Sequence, residues 1–130
     1  MTDIHYLTIE QALFIHKRII DETGGARGVR DIGALQASIS RPQATFDRQP
    51  LFPDIFSKAA ALLHGIILNH PFVDGNKRTG LTVAALFLQI NGRKFDTSHE
   101  ELESFVLEIA VGRYAVGEIA RWLRAHTQEI

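Results

Sequence analysis

The stretch over residues 76–90 constrains the fold of this chain more than any other, because apolar residues lie on almost every side of the helix that it predicts. Its apolar positions are Leu81, Val83, Ala84, Ala85, Leu86, Phe87, Leu88 and Ile90. A helix that is apolar all round is enclosed by other elements, so we place it at the centre of the molecule. The segment before it, residues 54–69, also repeats apolar residues at a helical period. The two segments predict a central buried hairpin of helices, with a connecting loop that begins at His70.

Four further segments show the helical period, so the sequence predicts an all-α fold: one compact six-helix domain over residues 1–130. They cover residues 8–23, 31–40, 98–111 and 116–127. Three begin at residues that cap helices well, Thr8, Asp31 and Ser98. No alternating strand pattern of useful length is present, and residues 93–95 predict only a brief extended link.

Two stretches lack a helical period. Residues 24–30 contain three glycines and two arginines and predict an exposed loop. Residues 43–53 form the longest irregular stretch, and long loops in compact domains are often functional. We expect a short extended segment or hairpin there, with its apolar residues Phe46, Leu51 and Phe52 tying it to the core.

The composition excludes several classes of protein. The net charge of −1 gives no global field that recruits nucleic acid or an anionic membrane. The absence of cysteine excludes a disulfide scaffold and a thiolate metal site. No apolar run reaches the roughly 18 residues that a membrane span needs, and residues 1–7 lack the pattern of a secretory signal. We therefore expect a soluble cytoplasmic protein without a direct nucleic-acid or membrane partner.

The loop between the two central helices carries an unusual set of polar residues, His-Pro-Phe-Val-Asp-Gly-Asn-Lys-Arg-Thr-Gly, at residues 70–80. If the next helix begins near Asn76, its first N–H groups and its dipole form a ready anion site. Gly75 lets a phosphate approach the backbone closely, and Asn76 can position an oxygen. Lys77 and Arg78 add two positive charges. The pattern predicts a polyphosphate site.

Two further side chains of the loop suggest chemistry. A carboxylate among phosphates, here Asp74, implies Mg²⁺, and phosphates with Mg²⁺ imply a nucleotide. His70 can accept a proton from an attacking hydroxyl as a general base. Asp74 and Asn76 also suit a simple N-cap role, and His70 suits a helix C-terminus. The combination indicates phosphoryl or nucleotidyl transfer.

The run His-Pro-Phe-x-Asp-Gly-Asn-Lys-Arg over residues 70–78 resembles the signature of the Fic/Doc superfamily. The Fic branch usually reads His-Pro-Phe-x-x-Gly-Asn-Gly-Arg and transfers AMP to target hydroxyls. This chain has Lys77 where that branch has its second glycine, and it has the short length typical of Doc. The resemblance is therefore to the death-on-curing toxins of bacterial toxin–antitoxin systems.

The resemblance implies an activity and a set of roles. Doc-like proteins are kinases that use ATP to phosphorylate a threonine of elongation factor Tu, which halts translation. The matching residues are His70 as the base, Asp74 as the Mg²⁺ ligand, and Asn76, Lys77 and Arg78 as phosphate-binding residues. By the same resemblance, the lysine prevents the Fic-type placement of the nucleotide, and residues 43–53 match the flap that docks the target peptide. Transfer of AMP, and a module that acts by binding alone, are the alternatives.

The resemblance also bears on regulation. Many Fic enzymes carry an inhibitory helix with the pattern Ser/Thr-x-x-x-Glu-Gly/Asn. Thr97 and Glu101 have this spacing, but Leu102 follows instead of glycine or asparagine. We therefore expect inhibition in trans, by a small Phd-like antitoxin.

Overall fold

The computed structural model describes residues 3–130, which form six helices and four short strands. The helices are α1 (Ile9–Thr23), α2 (Ile32–Ser40), α3 (Ile55–Asn69), α4 (Asn76–Ile90), α5 (His99–Ala110) and α6 (Val116–Ala125). The strands are β1 (Thr45–Phe46), β2 (Gln49–Pro50), β3 (Arg93–Phe95) and β4 (Thr127–Glu129). A single 3₁₀ turn, Arg41–Gln43, follows α2. All six predicted helices are present, which confirms the all-α class, although α6 ends before Thr127.

Capping residues fix where the first and third helices begin. The Thr8 hydroxyl accepts the N–H of Gln11 at 3.2 Å, and the Gln11 side chain accepts the N–H of Thr8 at 2.8 Å. Asp54 and Ser57 make the same reciprocal pair at the start of α3, at 2.8 and 3.2 Å. Each pair satisfies N–H groups that have no acceptor within the helix.

The central helix of the fold is α3, which packs against both α4 and α6. Ten of its fifteen residues are buried, against seven of fifteen in α4. The prediction that α4 is enclosed on all sides is therefore wrong: Ile90 is 38% exposed, and Thr82 and Gln89 also face solvent. The run of three alanines in α3, residues 59–61, explains the difference, because small side chains let neighbouring helices pack closely on more than one side.

The helices α3 and α4 approach closely near the loop that joins them. A Cβ atom at Gly80 would lie 3.0 Å from Cγ1 of Ile67 and 3.4 Å from Cγ2 of Ile66. A larger residue would push the two helices apart at the base of the loop. Gly80 thus helps to set the relative position of the helix ends that carry residues 70–78.

Strands β1 and β2 form a small antiparallel hairpin within residues 43–53, as one of the two alternatives for this stretch predicts. The expectation that its apolar side chains tie it to the core is wrong for Phe46 and Leu51, which are 75% and 53% exposed. Only Phe52 is half-buried, with the Arg41 guanidinium 5.6 Å from its ring centroid. The strands have two residues each, and all four residues are exposed.

The extended link at β3 has a partner that the sequence does not reveal. It pairs with β4 in antiparallel register, Arg93 with Glu129 and Phe95 with Thr127. The Arg93 side chain donates to the Thr127 carbonyl at 2.8 Å. Each strand has three residues, too few for an alternating pattern to show. Among residues 3–130, every helix is too short or too polar to cross a membrane.

Candidate active site

His70 directly follows α3 in a left-handed backbone conformation, with φ of 47° and ψ of 58°. Few residues other than glycine adopt this conformation, because the Cβ atom crowds the following carbonyl. The Arg30 side chain stabilises it by donating from Nε to the His70 carbonyl at 2.6 Å and from Nη2 to the Asn69 carbonyl at 2.7 Å. The last carbonyls of α3 thus bind a guanidinium, while the His70 ring remains exposed.

Phe72 anchors the loop between the two helices. Its ring is fully buried and stacks on the ring of His16, with centroids 3.8 Å apart and planes 6° from parallel. The Asn76 side chain accepts the N–H of Phe72 at 2.9 Å and donates to its carbonyl at 3.0 Å. The carboxamide of Asn76 therefore closes the loop, and what Asn76 offers an anion is its backbone N–H. Val73, next in sequence, is exposed.

The glycine-rich loop after α1 forms a second wall along the loop of residues 70–75. The N–H of Arg30 donates to the Pro71 carbonyl at 2.7 Å, and the N–H of Val73 donates to the Gly28 carbonyl at 3.0 Å. Gly25 has a φ of 116°, and a Cβ there would lie 2.8 Å from Oδ2 of Asp74. A side chain at this position would strain the backbone and displace the Asp74 carboxylate. The sequence-based prediction of a plain exposed loop missed this role of residues 24–30.

The Asp74 carboxylate lies between these two loops and is exposed to the cavity that they form. Oδ2 accepts the N–H of Ala26 at 3.2 Å, and Oδ1 accepts the N–H of Gly75 at 2.9 Å. These two hydrogen bonds lower the pKa of Asp74, and the positive charge of Arg78 acts in the same direction. The carboxylate therefore stays ionised well below neutral pH and keeps lone pairs for a cation.

His16, on α1, contacts the loop of residues 70–75. Its ring is buried, and Nε2 lies 2.8 Å from the Asp74 carbonyl oxygen. A carbonyl oxygen can only accept, so we assign the proton to Nε2. The Asp74 main chain is thus held by α1, and its side chain by the glycine-rich loop.

The first turn of α4 contains backbone N–H groups without a hydrogen-bond acceptor in the described part of the chain. Gly75 has a φ of 77°, and the first N–H to find a helical acceptor is that of Thr79, which donates to the Gly75 carbonyl at 2.9 Å. Within residues 3–130, no acceptor faces the N–H groups of Asn76, Lys77 and Arg78. These groups and the helix dipole attract anions.

Two exposed cations stand at this helix terminus. The helix dipole repels cations at this end, so the presence of Lys77 and Arg78 is unfavourable unless an anion binds here. The guanidinium of Arg78 donates from Nη1 to the Thr23 hydroxyl at 2.7 Å and keeps its other donors for a ligand.

The side chains predicted from the loop motif surround one cavity of about 490 Å³. Its lining residues are Thr23, Gly24, Gly25, His70, Val73, Asp74, Gly75, Asn76, Lys77 and Arg78. The hairpin residues Phe46, Leu51 and Phe52 lie outside this lining. A cavity with free N–H donors, two cations, a carboxylate and an imidazole can hold a polyanion with a divalent cation and remove a proton beside it.

Three residues of the site escaped prediction from the sequence. His16 and Thr23 are seven residues apart in α1, so they lie on the same face of that helix. This spacing is the sequence signal that both could contact the loop motif. Nothing in the sequence marks Arg30 as the residue that binds the end of α3, since arginine in a glycine-rich loop is usually solvated.

The sequence of the chain is similar to those of known proteins. The model of the Fic/DOC family matches residues 6–88. Toxin Doc of Mycolicibacterium smegmatis is 44% identical over 89 residues, which cover 67% of this chain and 68% of that protein. Protein kinase doc of Escherichia phage P1 is 34% identical over 122 residues, which cover 93% of this chain and 94% of the phage protein. The chain therefore belongs to the Fic/DOC family, in its Doc branch.

Proposed function

We propose that this chain is the toxin of a toxin–antitoxin system and acts as an ATP-dependent protein kinase. Its substrate is a threonine hydroxyl of a translation factor, elongation factor Tu, and the modification arrests translation. The names of two relatives, a Toxin Doc and a Protein kinase doc, support the toxin and kinase parts of this proposal. The residues of the cavity independently support the kinase part alone.

One observation carries the proposal: a base, a carboxylate and an anion cradle converge on a single cavity. The three N–H groups at the start of α4, with Lys77 and Arg78, fit the phosphates of ATP. Asp74 fits Mg²⁺, which in nucleotide sites takes one or two carboxylates together with phosphate oxygens and water. Bound Mg-ATP would supply an activated phosphoryl group at the place where these residues meet.

The residues of the chain perform the remaining tasks. His70 removes the proton from the acceptor hydroxyl, since its ring is exposed and free of protein hydrogen bonds within residues 3–130. Lys77 and Arg78 neutralise the charge that develops on the phosphate oxygens. Lys77 in place of glycine favours transfer of the γ-phosphate over transfer of AMP.

The hairpin of residues 43–53 is proposed to dock the target. Phe46 and Leu51 are exposed apolar side chains on a projecting element, which suits capture of an extended peptide. A small Phd-like antitoxin that binds in trans is the proposed inhibitor, because Thr97 and Glu101 are followed by Leu102 and lack the inhibitory pattern.

The test incubates the protein and elongation factor Tu with ATP that carries label in either the α- or the γ-phosphate. We expect label on the factor from γ-labelled ATP alone. His70→Ala is expected to lower the rate by about 10²–10⁴-fold and to abolish growth arrest. His5→Ala, a change of an exposed histidine outside the cavity, is the matched control and should leave both unchanged.

Two outcomes would contradict the proposal. Transfer from α-labelled ATP would identify an AMP-transferase. Growth arrest retained by His70→Ala would show that the chain acts by binding alone.

A further inference from the structure

The end of α1 contributes one side chain to the cavity that the loop motif does not include, that of Thr23. Thr23 is the last residue of α1, and Gly24 ends the helix with a φ of 83°. The Thr23 hydroxyl donates to the Ile19 carbonyl at 2.6 Å and accepts from Nη1 of Arg78 at 2.7 Å. Because its only proton is committed to Ile19, its lone pairs are directed towards the guanidinium.

Arg78 needs a partner of this kind. It lies in the first turn of α4, where the helix dipole repels a cation, and its long side chain is exposed. Without a fixed acceptor, the guanidinium would spread over many rotamers and turn away from the helix end. The bond to Thr23 uses one of its five N–H donors and leaves the others for phosphate oxygens.

We infer that Thr23 is a positioning residue for the nucleotide site. It acts through Arg78 and holds the guanidinium in the cavity before phosphate arrives, so that less side-chain freedom is lost on binding. This inference rests on the proposed function, since it assumes that Arg78 binds the phosphates of ATP.

The test measures binding of Mg-ATP and of Mg-tripolyphosphate by titration calorimetry. Thr23→Val keeps the shape of the side chain and removes the hydroxyl, and we expect it to weaken both ligands equally, by about three- to tenfold. Thr23→Ser keeps the hydroxyl and should restore the affinity. Thr82→Val, which changes an exposed threonine of α4 outside the cavity, is the matched control.

A double-mutant cycle shows whether Thr23 acts through Arg78. In an Arg78→Met background, Thr23→Val should cause no further loss, because the guanidinium that it orients is gone. A merely structural role for Thr23 would instead add its loss to that of Arg78→Met. The unfolding midpoints of Thr23→Val and Thr23→Ser, measured alongside, must both lie above the temperature of the titration, so that each variant is folded when its affinity is measured.

Each other outcome has a distinct meaning. If Thr23→Val binds both ligands as tightly as the wild type, or more tightly, while Arg78→Met binds them weakly, the inference is wrong and the nucleotide site stands. An additive cycle would also overturn it. If the wild-type protein binds neither ligand, the proposed function fails first, and the inference fails with it.

Discussion

His70 combines a proposed chemical role with a backbone conformation that costs free energy. Its φ of 47° lies in the left-handed region, and the Arg30 side chain holds the two carbonyls at the end of α3 in place. The strained conformation turns the chain sharply out of α3. The imidazole thereby stands at the edge of the cavity instead of along the helix.

Substitutions at this position separate backbone strain from chemistry. Neither His70→Gly nor His70→Ala has an imidazole, so the difference between them reports the backbone. We expect His70→Gly to be more stable than His70→Ala by about 1 kcal/mol, because glycine tolerates positive φ. Urea unfolding measures this difference.

The same pair of substitutions at Asn69, the last residue of α3, is the matched control for His70. There the order should reverse, since alanine favours the helix by up to about 1 kcal/mol. Equal stability of the two His70 variants would show that the left-handed conformation is not maintained in solution.

The Asp74 carboxylate predicts a pH dependence of stability. Hydrogen bonds from the N–H groups of Ala26 and Gly75 lower its pKa in the folded state below the ordinary value of 3.8. A depressed pKa means that the unfolded state binds the proton more readily than the folded state does. The ionised Asp74 carboxylate therefore contributes fully to the free energy of unfolding above about pH 5. This contribution is lost as the pH falls through the lowered pKa.

The measurement compares the wild type with Asp74→Asn by urea unfolding from pH 7 to pH 3. We expect a constant difference in unfolding free energy above about pH 5 and a shrinking one below about pH 4. The same comparison with Asp47→Asn, in the exposed turn of the hairpin, is the matched control. A constant difference for Asp74→Asn down to pH 3 would contradict the hydrogen bonds to Ala26 and Gly75.

At the scale of elements, the β1–β2 hairpin stands apart from the helices. Its apolar residues Phe46 and Leu51 face solvent, and the contact of Phe52 with Arg41 holds its base. Exposed apolar side chains that contribute nothing to the core suggest a role in binding. The proposed role is to hold the target peptide across the cavity.

Phe46→Ser tests this role. Because Phe46 is 75% exposed, the change should alter the unfolding free energy by no more than about 0.5 kcal/mol. In the phosphorylation of elongation factor Tu, Phe46→Ser should have a higher KM for the factor than the wild type and the same KM for ATP. Phe14→Ser, which changes an exposed phenylalanine of α1 (61%), should change none of these quantities. An unchanged KM for the factor in Phe46→Ser would remove the hairpin from target binding.

The types of the helices were predictable because apolar periods are local signals, and so were the starts of α1, α2, α3 and α5, where a side chain caps the helix. The pairing of β3 with β4 was not, since it joins two three-residue strands at opposite ends of the α5–α6 segment. The exposure of the hairpin was not predictable either. The sequence alone does not distinguish an apolar residue that packs in the core from one that is exposed on the surface.

At the scale of the whole molecule, the sequence predicts the wrong one of the two central helices as the more buried. Composition indicates α4 as the enclosed helix, but Leu81 and Leu86 are only half-buried, while the alanines of α3 are fully covered. Hydrophobicity measures how strongly a side chain favours burial away from water. Enclosure depends on how closely neighbours approach, which small residues such as Gly80 decide.

The site shows the same division between local and distant information. Consecutive residues of one loop necessarily lie close together, so the grouping of His70, Asp74 and Arg78 follows from the sequence. His16 and Arg30 reach the site only through the packing of α1 and the loop after it. Asn76 was expected to face the ligand, but the buried N–H and carbonyl of Phe72 must be satisfied, and the carboxamide does so.

The glycine-rich loop is joined to the site largely through its main chain. The N–H groups of Ala26 and Arg30 and the carbonyl of Gly28 form these bonds, whatever side chains their residues carry. Substitution of Ala26 or Val29 should therefore leave these main-chain bonds in place. Gly25 is the exception, because a side chain there would strain the backbone at a φ of 116° and displace the carboxylate of Asp74.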